Sequence, residues 1–397
     1  AVTVGAVLVV LIPVVLFSQP FATWLLRGLT LLVIACPCAL VISTPVSVVS
    51  AITSAARHGV LIKGGASLER MADVRVMAFD KTGTLTHGRA EVTDVIPLGD
   101  LDEQQVLLLA AAVESRSEHP IARAIVRAAR QAGDAPEVTE FESFPGHGAR
   151  ARVGGVLHIV GRPGLEGGPG AIPQLEELAA EGKTPVVVLR APDEGPRSVI
   201  GVLALTDPLR PAVPQVISDL RELGIERVVV LSGDLRQAAE QAGREAGADD
   251  VWSRLEPASK VDAVERMERE TGHVAMVGDG VNDAPALAAA SVGIAMGAAA
   301  SDAALETADI AVMGDDLARL PYLYLLARKS KRVIRENIVA ALLVKTVLAI
   351  GVPLGWVSLI VAVLVGDMGA SLVVTANALR LARVRDHDHK GAAAERA

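Results

Sequence analysis

Long, nearly uncharged apolar runs occupy both ends of the chain, and charged, mixed sequence separates them. They cover Ala1 to about Phe17, Trp24 to about Ile52, Ile338 to Pro353 and Trp356 to Leu379. A helix needs roughly 20 apolar residues to cross a bilayer, so the pattern predicts two pairs of transmembrane helices around a soluble centre. Basic residues gather beside them: Arg57, Lys63 and Arg70 after the second run, Arg328, Lys329, Lys331, Arg332 and Arg335 before the third, and Arg380, Arg383 and Arg385 after the fourth. The positive-inside rule puts these flanks and the centre in the cytoplasm. No signal peptide is expected, because the first run lacks a basic leader segment. The formal net charge of -8 argues against a nucleic-acid partner, since phosphate-backbone binding leans on clustered Lys and Arg.

Within the apolar runs, four polar groups stand out. Cys36 and Cys38, the only cysteines, flank Pro37, with Pro45 further on. Pro37 removes a backbone donor and opens the helix, and broken helices surround buried sites in transporters. A spacing of one residue is read as poor disulfide geometry and good chelating geometry, and thiolates select soft or borderline ions such as Cu⁺, Zn²⁺ and Cd²⁺. The plainer reading is a pair of small buried residues. Lys345 and Asp367 lie inside the third and fourth runs. Each costs about 2.5–3.5 kcal/mol at the bilayer centre, which makes it a functional candidate. A mutual ion pair locking two helices is the structural alternative.

In the centre, β-branched runs recur at Arg75–Phe79, Val199–Leu205, Arg227–Leu231, Val274–Val277, Val292–Ala295 and Ile310–Val312, with helical patterns between several of them. That alternation predicts an α/β doubly wound parallel sheet. A stretch from about Pro97 to Arg197 looks like a separate α+β domain inserted after the first strand. The expected boundaries are 1–70 for the first helix pair, 71–97 and 198–327 for the two parts of the sheet domain, 98–197 for the insertion, 328–383 for the second helix pair and 384–397 for a tail.

The sheet should present its chemistry at the carboxyl ends of its strands. There the first strand delivers Asp80-Lys81-Thr82-Gly83-Thr84-Leu85-Thr86. A carboxylate beside a cation and hydroxyls suits a phosphoryl acceptor, whereas an isolated Asp would more often cap a turn. Later strands lead into Leu231-Ser232-Gly233-Asp234 and Gly278-Asp279-Gly280-Val281-Asn282-Asp283. Mg²⁺ binds few carboxylates directly, a need that Asp80, Asp279 and Asp283 can meet. Lys260 can neutralise charge on phosphoryl oxygens.

Together and in this order, these motifs resemble the phosphorylation domain of P-type ATPases, itself similar to the haloacid dehalogenase hydrolases. The resemblance implies that ATP phosphorylates Asp80, while Lys81, Thr82, Ser232, Gly233, Asp234 and Lys260 serve catalysis and Asp80, Asp279 and Asp283 hold Mg²⁺. Dehalogenase-type hydrolases commonly carry a second Asp two residues after the nucleophile, where this chain has Thr82; a long-lived phosphoenzyme is therefore expected. In the insertion, Glu114 and Ser117-Glu118-His119-Pro120 with Gly146, Gly148 and Gly161 resemble the nucleotide-binding signature of the heavy-metal subgroup. Cys36-Pro37-Cys38, Lys345 and Asp367-Met368-Gly369 resemble its zinc/cadmium/lead exporters, implying that Cys36, Cys38, Asp367 and Lys345 form the site of a transported divalent ion. The Asn/Tyr and Met/Ser pattern of the copper(I) branch does not occur. The resemblance also implies upstream helices and an actuator domain with a Thr-Gly-Glu loop, a tripeptide this sequence lacks. The rival readings are a copper(I) pump, a membrane-anchored dehalogenase-type phosphatase and a non-catalytic metal-binding fragment. The tail motif Asp386-His387-Asp388-His389 reads more readily as a solvated end than as a metal site.

Overall fold

The structure is a computed structural model, and it describes all residues except 1, 131, 145–146, 166–171, 194–195, 235, 280–282, 298–305, 315 and 385–397. Gly146 and the tail motif lie outside the described residues.

Val60–Ile62 (β1), Val76–Asp80 (β2), Arg227–Leu231 (β9), Asp250–Trp252 (β10), Val274–Gly278 (β11), Val292–Met296 (β12) and Ile310–Val312 (β13) form one seven-stranded sheet, in the order β1-β13-β12-β11-β2-β9-β10. All neighbours are parallel except β1, which runs antiparallel to β13. Strands β2, β11 and β12 are buried along their whole length, as sheets covered by helices on both faces require. Met77 and Phe79 pack on one side with Tyr322 and the helix Val213–Leu223; Val76 and Ala78 pack on the other with Met267 of the helix Pro257–Thr271. Both helices carry Pro in the first turn and stop at left-handed glycines, Gly224 at φ 113° and Gly272 at φ 83°. Only Gly adopts that conformation without a Cβ penalty.

A second sheet is wholly antiparallel. Glu91–Pro97 (β3), Val138–Phe144 (β4), Gly148–Val153 (β5), Val156–Gly161 (β6), Thr184–Ala191 (β7) and Ser198–Thr206 (β8) pair in the order β3-β8-β7-β6-β5-β4. The helices Glu103–Glu114 and Pro120–Ala129 cover it, and an Asp102/Gln105 capping box starts the first of them. Three expectations change. The Val199–Leu205 run belongs to this sheet and not to the parallel one, because Glu91–Pro97 offers it an antiparallel partner and a buried β-branched run carries no label for its sheet. The insertion therefore includes β3 and β8 on either side of 98–197. The parallel sheet in turn recruits β1 from the stretch assigned to the first helix pair.

Among the described residues, two helical stretches are long and apolar enough to cross a membrane, Phe21–Arg57 and Leu359–Arg383, beside a shorter apolar helix, Thr3–Phe17. The first breaks after Ile34 and restarts at Cys38. In the second, Leu364–Gly369 forms a wide π-type turn around Asp367, a feature common at functional positions. The expected third span is the distal half of one continuous helix, Arg319–Gly351. Its start is buried in the core of the parallel sheet, while Val339, Leu342, Leu343, Val347 and Ile350 expose apolar side chains near its end.

Candidate active site and ion site

Strand β2 lies between β11 and β9 and ends on Asp80, which pairs with Leu231, while Phe79 pairs with Val277. The chain segments carrying Ser232, Asp234, Asp279 and Asp283 thus leave the sheet on either side of Asp80, at one carboxyl edge. Asp80 is 4% exposed and Asp283 2%. From the neighbouring helix, the Lys260 ammonium donates to both, at 2.5 Å to Asp80 Oδ1 and 2.7 Å to Asp283 Oδ1. Burial and the Asp283 charge push the Asp80 carboxyl up to about 7, against the pull of Lys260. Asp283 is likewise raised, first by burial, with Lys260 opposing and Asp279 adding to the rise. Burial works against the charged form of Lys260, but Asp80 and Asp283 outweigh it and raise its pKa. Gly278 has no room for a side chain, since a Cβ would meet Asp283 Oδ2 at 2.9 Å.

Lys81 is buried and pairs with Asp234. Ser232 is buried, and its Oγ accepts from the Asp234 amide at 3.1 Å. Gly233 lies close under the Leu255 carbonyl. Thr82 is exposed. At Gly83 the chain takes φ 78°, and a Cβ there would approach Asp279 Oδ2 to 3.2 Å, so this turn favours glycine on both counts. The Asp283 and Asp279 charges both act on Asp80, and carboxylate oxygens are the hard donors Mg²⁺ takes, but the three do not converge as a preformed cage among the described residues.

Two residues that sequence reasoning missed hold the acceptor loop. Buried Arg210 donates to the carbonyls of Gly83, Thr84 and Thr86. Asp207 accepts from Thr86 Oγ1 at 2.6 Å and from the Arg89 amide at 3.2 Å. Their signal was present in Asp207-Pro208-Leu209-Arg210, a polar turn directly after a β-branched run.

In the inserted domain, Glu114, Ser117, His119, His147, Gly148, Gly161 and Arg162 line one cavity. Gly148 and Gly161 face each other across β5 and β6. A Cβ on Gly148, at φ 153°, would sit 2.2 Å from the Val160 carbonyl, and one on Gly161 would sit 2.4 Å from the His147 carbonyl; the backbone is exposed to the cavity because nothing larger fits. His119 caps the helix Pro120–Ala129, its Nδ1 accepting from the Ile121 amide at 3.3 Å. In the neutral ring the proton is then on Nε2. Glu114 is buried, its Oε2 has no hydrogen-bond partner among the described residues, and burial pushes its carboxyl up to about 7.

At the helix break, Cys36 and Cys38 are joined as a disulfide, their Cα atoms 5.6 Å apart. This corrects the expectation of poor disulfide geometry: the compact turn at Pro37 brings the pair inside the usual Cα range of about 4.4–6.8 Å. Chelation would use the reduced pair. Lys345 donates to the carbonyls of Ile34 and Cys36, and no Lys345–Asp367 ion pair occurs among the described residues. Asp367 keeps a buried Oδ1 without a partner. No three His, Cys, Asp or Glu side chains converge as a metal cage among the described residues. The structure thus gathers Lys345 with the Cys36 turn but does not close a complete ion site.

A carboxylate at the carboxyl edge of a parallel sheet, bridged by Lys to a second Asp, defines a class. The chain belongs to the haloacid dehalogenase-like hydrolases, whose family model matches residues 74–291. The relatives it is similar to are heavy-metal P-type ATPases. It is 43% identical over 393 residues to the cadmium-transporting ATPase of Staphylococcus aureus, a match covering 96% of this chain and 53% of that protein. It is 44% identical over 386 residues to the zinc/cadmium/lead-transporting P-type ATPase of Escherichia coli K12, covering 97% of this chain and 51% of that protein. The fold matches the crystal structure of a zinc-transporting PIB-type ATPase in its E2.Pi state with a TM-score of 0.88 at 43% identity, over 96% of this chain and 62% of the other. The chain spans about half the length of the curated relatives it matches. It is a membrane protein.

Proposed function

We propose that the chain supplies the phosphorylated and ion-conducting parts of a pump that uses ATP to export Zn²⁺, Cd²⁺ or Pb²⁺. The observation that carries this reading is the buried Asp80–Lys260–Asp283 bridge. It holds a nucleophilic carboxylate where a phosphoryl group can reach it, and its neighbours supply the charge. An ionised Asp80 oxygen attacks the γ-phosphorus, the bond to ADP breaks, and ADP leaves with the electron pair. Lys260 stabilises charge on the transferring oxygens. Arg210 and Asp207 fix the loop so that Asp80 meets its partner without a search. Mg²⁺, when bound by Asp80, Asp279 and Asp283, supplies positive charge to the phosphate. Thr82 provides no carboxyl to activate water, which favours a lasting phosphoenzyme over direct phosphatase turnover.

ATP itself is assigned to the inserted cavity. There Gly148 and Gly161 allow close approach, His119 Nε2 donates, and a Glu114 carboxyl that titrates near neutrality can both donate to and accept from a purine edge. Reduced Cys36 and Cys38 and the unpartnered Asp367 oxygen are the soft and hard donors assigned to the cargo. Lys345 holds the broken helix end beside them. The soluble domains are assigned to the cytoplasm, and upstream helices and an actuator are expected to complete the pump. The test is acid-stable phosphorylation of the complete gene product by ATP, with Zn²⁺, Cd²⁺, Pb²⁺ and Cu⁺ supplied in turn. Asp80→Asn should give no phosphoprotein, and the native protein should respond to the divalent ions. A persistent signal in Asp80→Asn would remove the assignment.

A further inference from the structure

Basic residues cluster where the apolar surface of the helices stops, and they do not all point the same way. On the helix Arg319–Gly351, Arg328 donates to the Leu223 carbonyl and Lys331 pairs with Asp73; both are committed to the phosphorylation domain. Lys329 and Arg332 line a cavity shared with Arg380 and Arg383 from the end of the last helix, with Glu336 the one acidic member among the described residues and Val333 and Leu381 in the lining. Among the described residues three arginines face one carboxylate here, which makes the recess positive. Its walls are fixed by an amide relay: Asn377 Nδ2 donates to Asn337 Oδ1 at 2.9 Å, Asn337 Nδ2 to the Val374 carbonyl at 3.2 Å, and Arg380 to Asn377 Oδ1 at 3.0 Å.

Its depth is informative. Val339 and Leu379, next along each helix, are exposed apolar residues, so the recess sits just outside the apolar belt. From Arg332 to Gly351 the helix is about 28 Å long, close to the thickness of a hydrocarbon core. Arg332 and Glu336 also border a second cavity that continues to Val339 and Ala340. Arg332 and Glu336 belong to both, so the cationic recess continues onto a shallow face of one helix that runs through Arg335 to Val339 and Ala340 at the acyl level, where a chain can lie below its headgroup. A free phosphate would use only the upper part.

We infer that this recess binds the headgroup of an anionic phospholipid, with Arg332, Arg380 and Arg383 on the phosphate and an acyl chain along Val339. For the test, the full chain is reconstituted in nanodiscs of phosphatidylcholine with about one-third phosphatidylglycerol, a common anionic lipid. It is then re-extracted in neutral detergent, and the lipid retained is counted by native mass spectrometry. Native protein should retain phosphatidylglycerol over phosphatidylcholine. Arg380→Gln/Arg383→Gln should weaken retention about thirty-fold, the effect of two surface cations. Arg266→Gln/Arg269→Gln, which removes the same charge from an exposed helix of the phosphorylation domain, should change nothing. Glu336→Gln should strengthen retention several-fold, and this arm decides the matter if the double variant unfolds. Equal retention by the two double variants, unchanged retention in Glu336→Gln, or displacement of the lipid by inorganic phosphate would each overturn the inference.

Discussion

Replacing Lys260 by Met tests the centre of the proposed phosphorylation site with little change in packing, since Met keeps the length of the side chain. The ammonium lies 2.5 Å from Asp80 Oδ1 and 2.7 Å from Asp283 Oδ1. Asp80 already titrates at about 7 because burial and Asp283 raise it while Lys260 holds it down. Removing a unit charge about 4 Å away, at an effective dielectric constant of about 20, forfeits about 4 kcal/mol of attraction. At about 1.36 kcal/mol per tenfold, ionised Asp80 at neutral pH falls about a thousand-fold. The sign follows from the acid being the nucleophile: raising its pKa depletes the carboxylate at fixed pH, and alkali restores it. Initial rates of phosphoprotein formation should therefore level off above about pH 7 in the native protein and climb about tenfold per unit between about pH 7 and 9 in Lys260→Met. Quenched-flow measurement with labelled ATP at constant Mg²⁺ reads both. A variant with the native rate and the native pH profile would refute the electrostatic argument outright.

Glu114, raised from 4.5 to about 7 by burial, binds more protons in the folded than in the unfolded domain. Its contribution to stability is present below about 4.5 and lost as pH rises through about 7, a swing of roughly 3 kcal/mol. Hydrogen-exchange protection of the helix Glu103–Glu114 should fall across that window in the native protein and stay flatter in Glu114→Gln. Gly148→Ala forces a Cβ against the Val160 carbonyl and should cost the inserted sheet about 1–3 kcal/mol along with ATP affinity measured by calorimetry. Gly99→Ala, which meets nothing within 4 Å, should leave both unchanged. Lys345→Met loses its bonds to the Ile34 and Cys36 carbonyls, at about 1.5–3 kcal/mol for each charge-assisted bond. Metal-stimulated ATPase activity should drop at least tenfold, and native stimulation in the variant would deny Lys345 a part in the ion site.

The layout of the candidate site was legible because parallel strands deliver their carboxyl-terminal residues to one edge, so Asp80, Ser232, Asp234, Asp279 and Asp283 could be placed from the runs before them. The role of Lys260 as a bridge could not be read, since which two carboxylates a helix side chain meets depends on helix docking. Arg210 and Asp207 were missed for a related reason: they act through backbone carbonyls and a hydroxyl, and a lone Asp-Pro turn carries no chemistry of its own. The misassigned strand Ser198–Thr206 shows the limit of periodicity, because burial on both faces looks alike in either sheet. At the membrane, spacing identified the Cys36/Cys38 turn but misjudged its reach, since a Pro-centred turn is more compact than an extended tripeptide. Lys345 was expected near charge; helix-end carbonyls, an equally good partner for an ammonium, hold it instead.

The helix Arg319–Gly351 runs without a break for 33 residues, about 50 Å at the usual rise. Tyr322 and Tyr324 are clamped at one extremity, through Ser54 and the Val74 carbonyl, and Lys345 grips the severed helix near the other. Its one proline, Pro321, lies in the first turn, where no helical hydrogen bond is lost, and no wide turn interrupts the rest. A tilt of the catalytic head by even a few degrees would be carried along so straight a rod as along a lever, and would arrive at the Cys36 turn as a displacement of roughly 2 Å.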